Sequence, residues 1–230
     1  MGSTKGPSTS EPVVITIDGP AGAGKSTIAR ALARQLKYTY LDTGAMYRAL
    51  TLKALEEKID LNSEKELIDL AHHTLINIEA DEHQNLRVLL DGKDVTEDIR
   101  SLEVTNNTYH IAQVPGVREV MVQRQREIGR RTNVVIEGRD VGTMVFPKAT
   151  KKFYLDADFK ERAVRRIKEL KDKGMKVDEQ ETSHNLKERD TKDMTRDVGP
   201  LKKAEDAIVI DSTHLSIEEV VNKIMQYIDE

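Results

Sequence analysis

The chain has 230 residues, which suits one well-filled domain with insertions and is too short for two full-sized domains and a linker. Its 36 basic and 40 acidic residues give a net charge of −4, which excludes the overall positive field typical of nucleic-acid-binding proteins. Cysteine is absent, which excludes disulfides and thiolate metal sites, and no apolar stretch approaches the ~20 residues of a membrane span. We therefore expect neither nucleic acid nor a membrane as partner, and any anion-binding site must be local.

The first residues predict no ordered element. Residues 1–12 are rich in Gly, Ser, Thr and Pro and lack the apolar core of a signal peptide. We predict a disordered tail over residues 1–12, followed by a single domain over residues 13–230.

A phosphate-binding motif follows this tail. Residues 19–26 fit G-x-x-x-x-G-K-[ST] and lie between an apolar run at 13–17 and a helical pattern at 27–36. Glycines let successive N–H groups point inward around an anion, and the N-terminus of the next helix adds partial positive charge. Lys25 would reach the β and γ phosphates, and the Ser26 hydroxyl can ligate Mg²⁺. The alternative, a glycine-rich turn without a ligand, is disfavoured by the strand-then-helix context.

Short apolar runs alternate with helical patterns along most of the chain. Five runs are brief and apolar at consecutive positions, as strands buried on both faces of a sheet should be. They are residues 13–17, 40–41, 134–136, 153–155 and 208–210. Helical stripes cover residues 28–36 and 217–228, and the second begins with a capping box of Ser216 and Glu219. We predict a parallel sheet with helices packed on it.

Two regions depart from this alternation. Residues 75–95 show apolar side chains with period two and contain Asp91-Gly92, which predicts antiparallel hairpins. Residues 168–203 are dominated by charge and are interrupted by Gly174 and by Gly199-Pro200. A charged segment is usually only a solvated face, so its spacing has to show whether it does more.

The spacing of arginines within the charged region favours a cleft. The helical pattern of residues 186–194 places Arg189, Asp193 and Arg196 at i, i+4 and i+7, on one face. The same kind of spacing occurs earlier, at Arg162, Arg165 and Arg166. Taken alone, both sets are typical of solvated surface, where an Arg–Asp pair contributes a few tenths of a kcal/mol. A phosphate loop in the same chain favours the other interpretation, because phosphoryl transfer needs several positive groups around the equatorial oxygens.

Polar segments follow two of the predicted strands. Asp-Thr-Gly-Ala-Met-Tyr-Arg occupies residues 42–48, and Glu-Gly-Arg-Asp-Val-Gly-Thr occupies residues 137–143. Ligands of open α/β sheets bind at the carboxyl ends of the strands, although Asp and Gly there are also ordinary turn residues. Together with the phosphate loop, these segments predict a second anionic substrate held by Arg48 and Arg139.

Four motifs in this order resemble the bacterial cytidylate kinase family. They are residues 18–27, 41–48 and 137–143, and the segment Glu188-Arg-Asp-(x)₅-Arg196. The resemblance covers about residues 13–228. It implies transfer of the γ-phosphoryl group of ATP to CMP or dCMP with Mg²⁺, in pyrimidine nucleotide metabolism, by a cytoplasmic monomer.

The resemblance also implies a fold. It is the α/β fold of P-loop nucleoside monophosphate kinases, with a five-stranded parallel sheet flanked by helices, an antiparallel β insert and a helical lid. Residues 72–100 would form part of the insert that binds the nucleoside monophosphate, and residues 162–200 the lid region.

Residue roles follow from the same resemblance. ATP would be held by Gly19, Pro20, Ala21, Gly22, Ala23, Gly24, Lys25, Ser26 and Thr27, with Ser26 also at the metal. The acceptor would be bound by Thr43, Tyr47, Arg48, Tyr109, Arg118, Arg139, Asp140, Arg189, Asp193 and Arg196. In that set Thr43, Arg48 and Arg139 would address the phosphate, Arg118, Asp140 and Arg196 the cytosine, and Arg189 and Asp193 the sugar. Catalytic roles would fall to Lys25, Arg139, Arg165 and Arg189, while Arg162, Arg165 and Arg166 match arginines of the lid. The family often has Ser where Tyr109 stands.

Base selectivity has a simple physical reason in this assignment. The Asp140 carboxylate can accept a hydrogen bond from the exocyclic amine of cytosine, whereas uracil would present a carbonyl oxygen. The unpaired polar groups would cost about 1–3 kcal/mol, a discrimination of roughly 5- to 150-fold.

Two other functions share the phosphate loop. A kinase for shikimate or gluconate would have the same loop but no need for the base-binding set. A non-enzymatic nucleotide switch would need D-x-x-G and [NT]-K-x-D, and neither string occurs in the chain. A screen of acceptors separates the kinases.

Overall fold

The computed structural model describes residues 11–80 and 86–229, without the side chains of residues 80 and 229. Its strands are β1 (Val14–Asp18), β2 (Thr39–Asp42), β3 (Ile76–Ala80), β4 (Leu86–Leu90), β5 (Lys93–Asp94), β6 (Val134–Gly138), β7 (Lys151–Asp156) and β8 (Ile208–Asp211). Its α-helices are α1 (Lys25–Leu36), α2 (Thr43–Glu56), α3 (Glu64–His73), α4 (Leu102–Ala112), α5 (Pro115–Arg131), α6 (Phe159–Asp172), α7 (Glu179–Thr195) and α8 (Ile217–Asp229). A 3₁₀ turn (Asp98–Arg100) precedes α4, and a short π-helix (Val141–Val145) follows β6.

The predicted parallel sheet is confirmed. Its strands lie in the order β2-β6-β1-β7-β8, and every neighbouring pair is parallel. One detail of the prediction was wrong: β8 is not buried on both faces. It is an edge strand, so Val209 is 50% exposed while Ile210 is fully buried.

Helices cover both faces of the sheet, because residues next to each other in a strand point to opposite sides. On one face Val14 and Ile136 pack with side chains of α2, α3 and α5. On the other face Ile15 and Val135 pack with the apolar stripes of α1 and α8. The phosphate loop between β1 and α1 is therefore held at the carboxyl edge of a sheet whose two cores fix both of its ends.

Side-chain caps define where two of these helices begin. The carboxylate of Asp42 caps α2 by accepting a hydrogen bond from the N–H of Ala45 at 2.9 Å, so the segment after β2 continues directly as a helix. The capping box predicted for α8 is present, with Ser216 N–H donating to Glu219 at 2.8 Å and Glu219 N–H donating to Ser216 at 3.2 Å.

The antiparallel insert is confirmed as a three-stranded sheet, β3-β4-β5. Inward-facing Leu86, Val88 and Leu90 pack on Ala45 and Ala49 of α2. Asp91 and Gly92 have φ values of 50° and 85° and form the turn between β4 and β5, where a left-handed backbone favours Asp and Gly. The connection between β3 and β4 falls at residues 81–85, outside the described part of the chain.

The charged region of residues 168–203 contains one long helix, α7. The predicted helix of residues 186–194 lies within it, but α7 begins seven residues after α6 ends and extends to Thr195. Arg196 is the residue after the helix, with φ −64° and ψ 145°, so the prediction that Arg189, Asp193 and Arg196 share one helical face was wrong for Arg196.

Residues 1–10 of the predicted tail lie outside the described residues. Among those described, no helix has both the length and the apolar character needed to cross a bilayer. The division into a core, an insert over residues 72–100 and a lid over residues 162–200 stays a prediction.

Candidate active site

One large cleft lies at the carboxyl edge of the parallel sheet. Its volume is about 1270 Å³, and it extends from the phosphate loop to the arginines of α5 and α7. The cleft is lined by the loop before α1, the start of α2, the segment after β6 and helices α6 and α7. The phosphate loop and the arginines of α7, which are more than a hundred positions apart in the sequence, therefore line the same cleft.

The backbone of the phosphate loop adopts conformations that need glycine. Gly22 and Gly24 have φ values of 77° and 94°. At Gly19 a Cβ atom would lie 2.0 Å from the carbonyl oxygen of Leu155, so this glycine is needed where β7 passes close to the loop. Gly19 and Pro20 are buried behind the cleft, while residues 21–27 line it.

Lys25 is folded back onto its own loop. Its Nζ donates to the carbonyl oxygen of Pro20 at 2.8 Å, and the residue is only 5% exposed. Burial lowers the pKa of Lys25 to about 7, and the nearby charge of Arg139 contributes to the same effect. A bound anion would favour the charged form of this ammonium group.

Two carboxylates lie beside the loop where β6 and β2 end. Ser26 Oγ donates to Glu137 Oε1 at 2.5 Å, and the Tyr40 hydroxyl donates to the same oxygen at 3.3 Å. Thr43 Oγ1 donates to the Glu137 carbonyl oxygen at 2.8 Å. Burial and the nearby charge of Asp42 raise the pKa of the Glu137 carboxyl. The carboxylates of Glu137 and Asp42 thus place oxygen atoms that can ligate a cation next to the phosphate loop.

Arg48 and Arg139 each hold a carboxylate at the cleft wall. Arg48 donates to Asp42 at 2.8 Å, and Arg139 Nε donates to Asp193 of α7 at 2.7 Å. Burial opposes ionisation of Asp193, but Arg139 and then Arg189 outweigh it, so its pKa is lowered. Burial and Arg139 together lower the pKa of Arg189 to about 10. The two predicted phosphate-binding arginines are therefore ordered by carboxylates that leave part of each guanidinium facing the cleft.

A buried triad lies further along the cleft. Arg118 of α5 donates to one oxygen of Asp140, and Arg196 donates to the other at 3.2 Å. Burial raises the pKa of Asp140 despite these two guanidinium groups. Arg118 also lies over the ring of Tyr47, with Cζ 5.7 Å from the ring centroid, and Arg196 Nε donates to Gly199 O at 2.5 Å. The triad places donors and an acceptor next to one another at the cleft, which suits the edge of a base.

Asp18, the residue before the phosphate loop, positions this triad from behind. It accepts hydrogen bonds from the N–H groups of Val141 and Gly142 at 2.8 and 2.7 Å. These residues start the π-helix that follows Asp140, so the carboxylate ties the two halves of the cleft together. Burial raises the pKa of Asp18 to about 6, although the two N–H donors act in the other direction.

The three arginines of α6 that were predicted to belong to a lid differ in their surroundings. Arg162 is buried and donates to the carbonyl oxygens of Ala157 and Ala21, at 3.1 and 2.9 Å, and also pairs with Asp190. Arg165 donates to the carbonyl oxygens of Ser212 and Thr213 after β8, at 2.7 and 3.1 Å. Arg166 pairs with Glu169 at 2.8 Å. Arg165 and Arg166 line the cleft, whereas Arg162 does not.

Most residues predicted for the site do line this cleft. They are Ala21, Gly22, Ala23, Gly24, Lys25, Ser26, Thr27, Thr43, Tyr47, Arg48, Arg118, Arg139, Asp140, Arg165, Arg189, Asp193 and Arg196. Gly19, Pro20, Arg162 and Tyr109 do not line it. Tyr109 instead lies under Lys192, with Nζ 5.7 Å from its ring centroid, while Thr105 and Thr108 of the same helix face the cleft.

Several residues of the site were not predicted. No role was predicted for four carboxylates that lie within the recognised motifs, namely Asp18, Asp42, Glu137 and Asp190. Asp42 pairs with Arg48, and Glu137 accepts from the Ser26 hydroxyl. Asp18 and Asp190 accept from backbone N–H groups, those of Gly142 and Ala21 respectively. These carboxylates are recognisable as site residues because they are buried. Sequence spacing does not show whether a single carboxylate is buried, so the sequence could not identify them. Arg100 and the loop of residues 212–217 also line the cleft.

Comparisons with known proteins agree with this geometry. The family model described as cytidylate kinase matches residues 15–230. A cytidylate kinase of Desulforamulus reducens is 52% identical over 216 residues, which are 94% of this chain and 96% of that protein. A cytidylate kinase of a Geobacillus species is 50% identical over 216 residues, again 94% and 96% of the two chains. A solved structure of an uncharacterized protein from Eubacterium ventriosum has a TM-score of 0.51 at 16% identity, covers 95% of this chain and 99% of that one, and is similar in fold alone.

Proposed function

The chain belongs to the cytidylate kinase family and transfers a phosphoryl group from ATP to CMP or dCMP, and we propose that it does so in the cleft described above. One observation carries this assignment: a single cavity joins the phosphate loop to the arginine and carboxylate groups of α5, β6 and α7. Donor and acceptor can therefore meet without leaving protein surroundings, and water can be kept from the transferred group.

The phosphate loop holds the donor. The N–H groups of residues 22–27 and the N-terminus of α1 surround the ATP phosphates. Lys25 leaves the Pro20 carbonyl oxygen and binds the β and γ phosphates, whose negative charge keeps its ammonium group protonated. Gly19 and Pro20 support the loop from behind without touching the nucleotide.

The residues beside the loop fit Mg²⁺. Among the described residues no cluster of three or more His, Cys, Asp or Glu side chains could hold a metal, which is consistent with an ion bound largely by phosphates and water. Ser26 and Glu137, 2.5 Å apart, are two oxygen ligands of the kind Mg²⁺ prefers. When bound, the ion neutralises charge on the donor phosphates and orients them.

Arg48, Arg139 and Thr43 hold the acceptor phosphate. Their carboxylate partners Asp42 and Asp193 fix the guanidinium planes before substrate arrives, so little ordering is needed on binding. Arg139 and Lys25 both line the cleft, and the charge of Arg139 is close enough to lower the pKa of Lys25. We assign to Arg139 the role of stabilising the charge that develops on the transferred group.

Recognition of the nucleoside uses the buried triad and α7. Asp140 accepts from the amine of cytosine, while Arg118 and Arg196 donate to the oxygen and ring nitrogen. Arg189 and Asp193 bind the sugar, and Tyr47 packs against Arg118. We leave Tyr109 out of this set, and Thr105 and Thr108 take its place on the wall formed by α4.

The lid completes the site. Arg165 and Arg166 line the cleft from α6 and bind the donor phosphates when the lid closes. The insert of residues 72–100 closes on the acceptor in the same way. We further propose that the protein acts as a cytoplasmic monomer and binds no nucleic acid, which agrees with its net charge of −4.

A screen of acceptors tests the proposal. ADP formation is measured in a coupled assay with CMP, dCMP, UMP, AMP, shikimate and gluconate. We expect CMP and dCMP to be used best, with UMP weaker by roughly 5- to 150-fold, because Asp140 faces a carbonyl of uracil. Preferred use of shikimate or gluconate would contradict the assignment of the triad to a base.

A further inference from the structure

A buried ion pair connects the two lid helices to the phosphate loop. Arg162 is in the first turn of α6 and Asp190 is in α7, and they are 7% and 6% exposed. Besides pairing with each other, both contact the same loop residue. The N–H of Ala21 donates to Asp190 Oδ1 at 3.1 Å, and Arg162 donates to the Ala21 carbonyl oxygen at 2.9 Å.

The packing around this ion pair is equally close. Ala21 belongs to a small apolar cluster with Ala163 of α6 and Leu186 of α7. A Cβ atom at Gly22 would lie 2.9 Å from the Arg162 carbonyl oxygen, so the loop and α6 are in direct backbone contact. The contact between lid and loop is therefore built from both apolar packing and charge.

The ion pair fixes the orientation of one peptide group in the loop. In a trans peptide the C=O and N–H groups point in opposite directions. Because Arg162 holds the C=O of Ala21 on the lid side, the N–H of Gly22 points away from the lid arginine. Gly22 lines the cleft, and its N–H is one of the loop donors available to an anion.

We propose that Asp190 and Arg162 are positioning residues of the donor site, which set the Ala21–Gly22 peptide and thereby the affinity for the ATP phosphates. Neither side chain touches substrate. Asp190 directly follows Arg189 and lies three residues before Asp193, so the helix that carries the acceptor-binding residues also holds the donor loop. This inference rests on the donor-site assignment made above.

The variants Asp190→Asn and Arg162→Lys test it. Both keep a polar group, but Asn lacks the charge, and Lys lacks the fork that reaches Ala21 and Asp190 together. Binding of a non-hydrolysable ATP analogue and of CMP is measured by calorimetry, together with KM, kcat and the melting temperature. We expect the dissociation constant of the ATP analogue to rise about 10-fold in each variant, the change typical of one lost charged hydrogen bond. The dissociation constant of CMP should change by less than about threefold.

A matched control lies at the other end of the lid. Lys171 and Glu179 also join α6 to α7, at 2.7 Å, but both are more than half exposed and neither contacts the loop. Glu179→Gln should leave binding of the ATP analogue unchanged. The double variant Asp190→Asn/Arg162→Lys should bind the analogue no more weakly than the weaker single variant, since the two residues act through one peptide.

Two results would overturn the inference. One is an Asp190→Asn protein that binds the ATP analogue within twofold of wild type. The other is an equal loss of affinity for the analogue and for CMP that follows the loss of melting temperature, as a purely structural role predicts. Failure of the wild-type protein to bind the analogue would instead contradict the donor-site assignment itself.

Discussion

The donor half and the acceptor half of the cleft are built by different means. The proposed donor half is built chiefly on one continuous segment, residues 19–27, whose main-chain N–H groups are the expected phosphate ligands. The acceptor half is assembled from side chains on α2, α5, α7 and the segment after β6. A site built from contiguous backbone groups can be recognised in the sequence as a motif. A site built from dispersed side chains can be recognised only in the folded structure, which brings them together.

The two halves also balance charge differently. In the acceptor half Arg48, Arg118, Arg139 and Arg196 each pair with a carboxylate. In the donor half Lys25 hydrogen-bonds a neutral carbonyl oxygen, and burial lowers its pKa to about 7. The acceptor side is therefore ordered before substrate binds, while the donor lysine gains its full charge from the substrate.

The largest effect should come from removing the donor-side cation. In Lys25→Met we expect kcat to fall by about 10²–10³-fold, the range seen when one preorganised group that stabilises transition-state charge is lost. The melting temperature should not fall, because a buried ammonium group is replaced by an apolar side chain of similar size. Steady-state kinetics and a thermal melt check both statements.

Lys152→Met is the matched control for Lys25→Met. Lys152 is as buried as Lys25, at 6% against 5% exposure, but lies outside the cleft. It donates to Pro147 O and Asp206 at 2.6 and 2.9 Å, so its loss should reduce stability and leave kcat nearly unchanged. A Lys25→Met enzyme that kept the wild-type kcat would contradict the assignment of Lys25 to the donor site.

A smaller effect is expected on the acceptor side, in selectivity. Asp140→Ala should lower kcat/KM for CMP by roughly 5- to 150-fold and abolish most of the preference for CMP over UMP, while ATP binding changes little. Kinetics with both acceptors measure this. The melting temperature should also fall, because Arg118 and Arg196 lose the carboxylate between them.

Asp206→Ala is the control for that variant, since Asp206 pairs with a buried Lys152 away from the cleft. It should leave the CMP preference as it is. If the preference persisted in Asp140→Ala as well, base recognition would have to lie elsewhere in the cleft.

The smallest effect concerns protons. In the protein without a bound nucleotide, Lys25 has a pKa of about 7, so at pH 8 most of this side chain is neutral. A bound polyphosphate raises that pKa. Binding of the ATP analogue at pH 8 should therefore take up close to one proton, and binding at pH 6 should take up almost none from this group. Calorimetry in buffers of different ionisation enthalpy measures the uptake, which should disappear in Lys25→Met.

Much of the fold could be predicted because its signals are local. The phosphate loop, the five parallel strands and the capping box of Ser216 and Glu219 each depend on a few neighbouring residues. The burial of β8 was predicted wrongly because an apolar run does not say whether another strand lies beside it. Helical spacing failed at Arg196 for a similar reason: α7 ends at Thr195, yet the residue still reaches Asp140.

The site was predicted less completely than the fold. Arginines could be proposed from spacing and from the family resemblance, but their carboxylate partners lie up to 56 positions away in the sequence. Tyr109 was assigned to the acceptor by the family resemblance, whereas Thr105 and Thr108, which line the cleft from the same helix, were not predicted. Arg162 was matched to the lid arginines, and its spacing gave no sign that it pairs with Asp190 against the loop.

The sequence by itself determined the phosphate loop, the alternation of strands and helices, and the family, because each is written in contiguous residues. Only the tertiary structure decided which carboxylate orders which arginine, and that helices α6 and α7 contact Ala21. These contacts depend on how the sheet brings distant segments to one edge, and a buried charge is stable only where a partner is within reach.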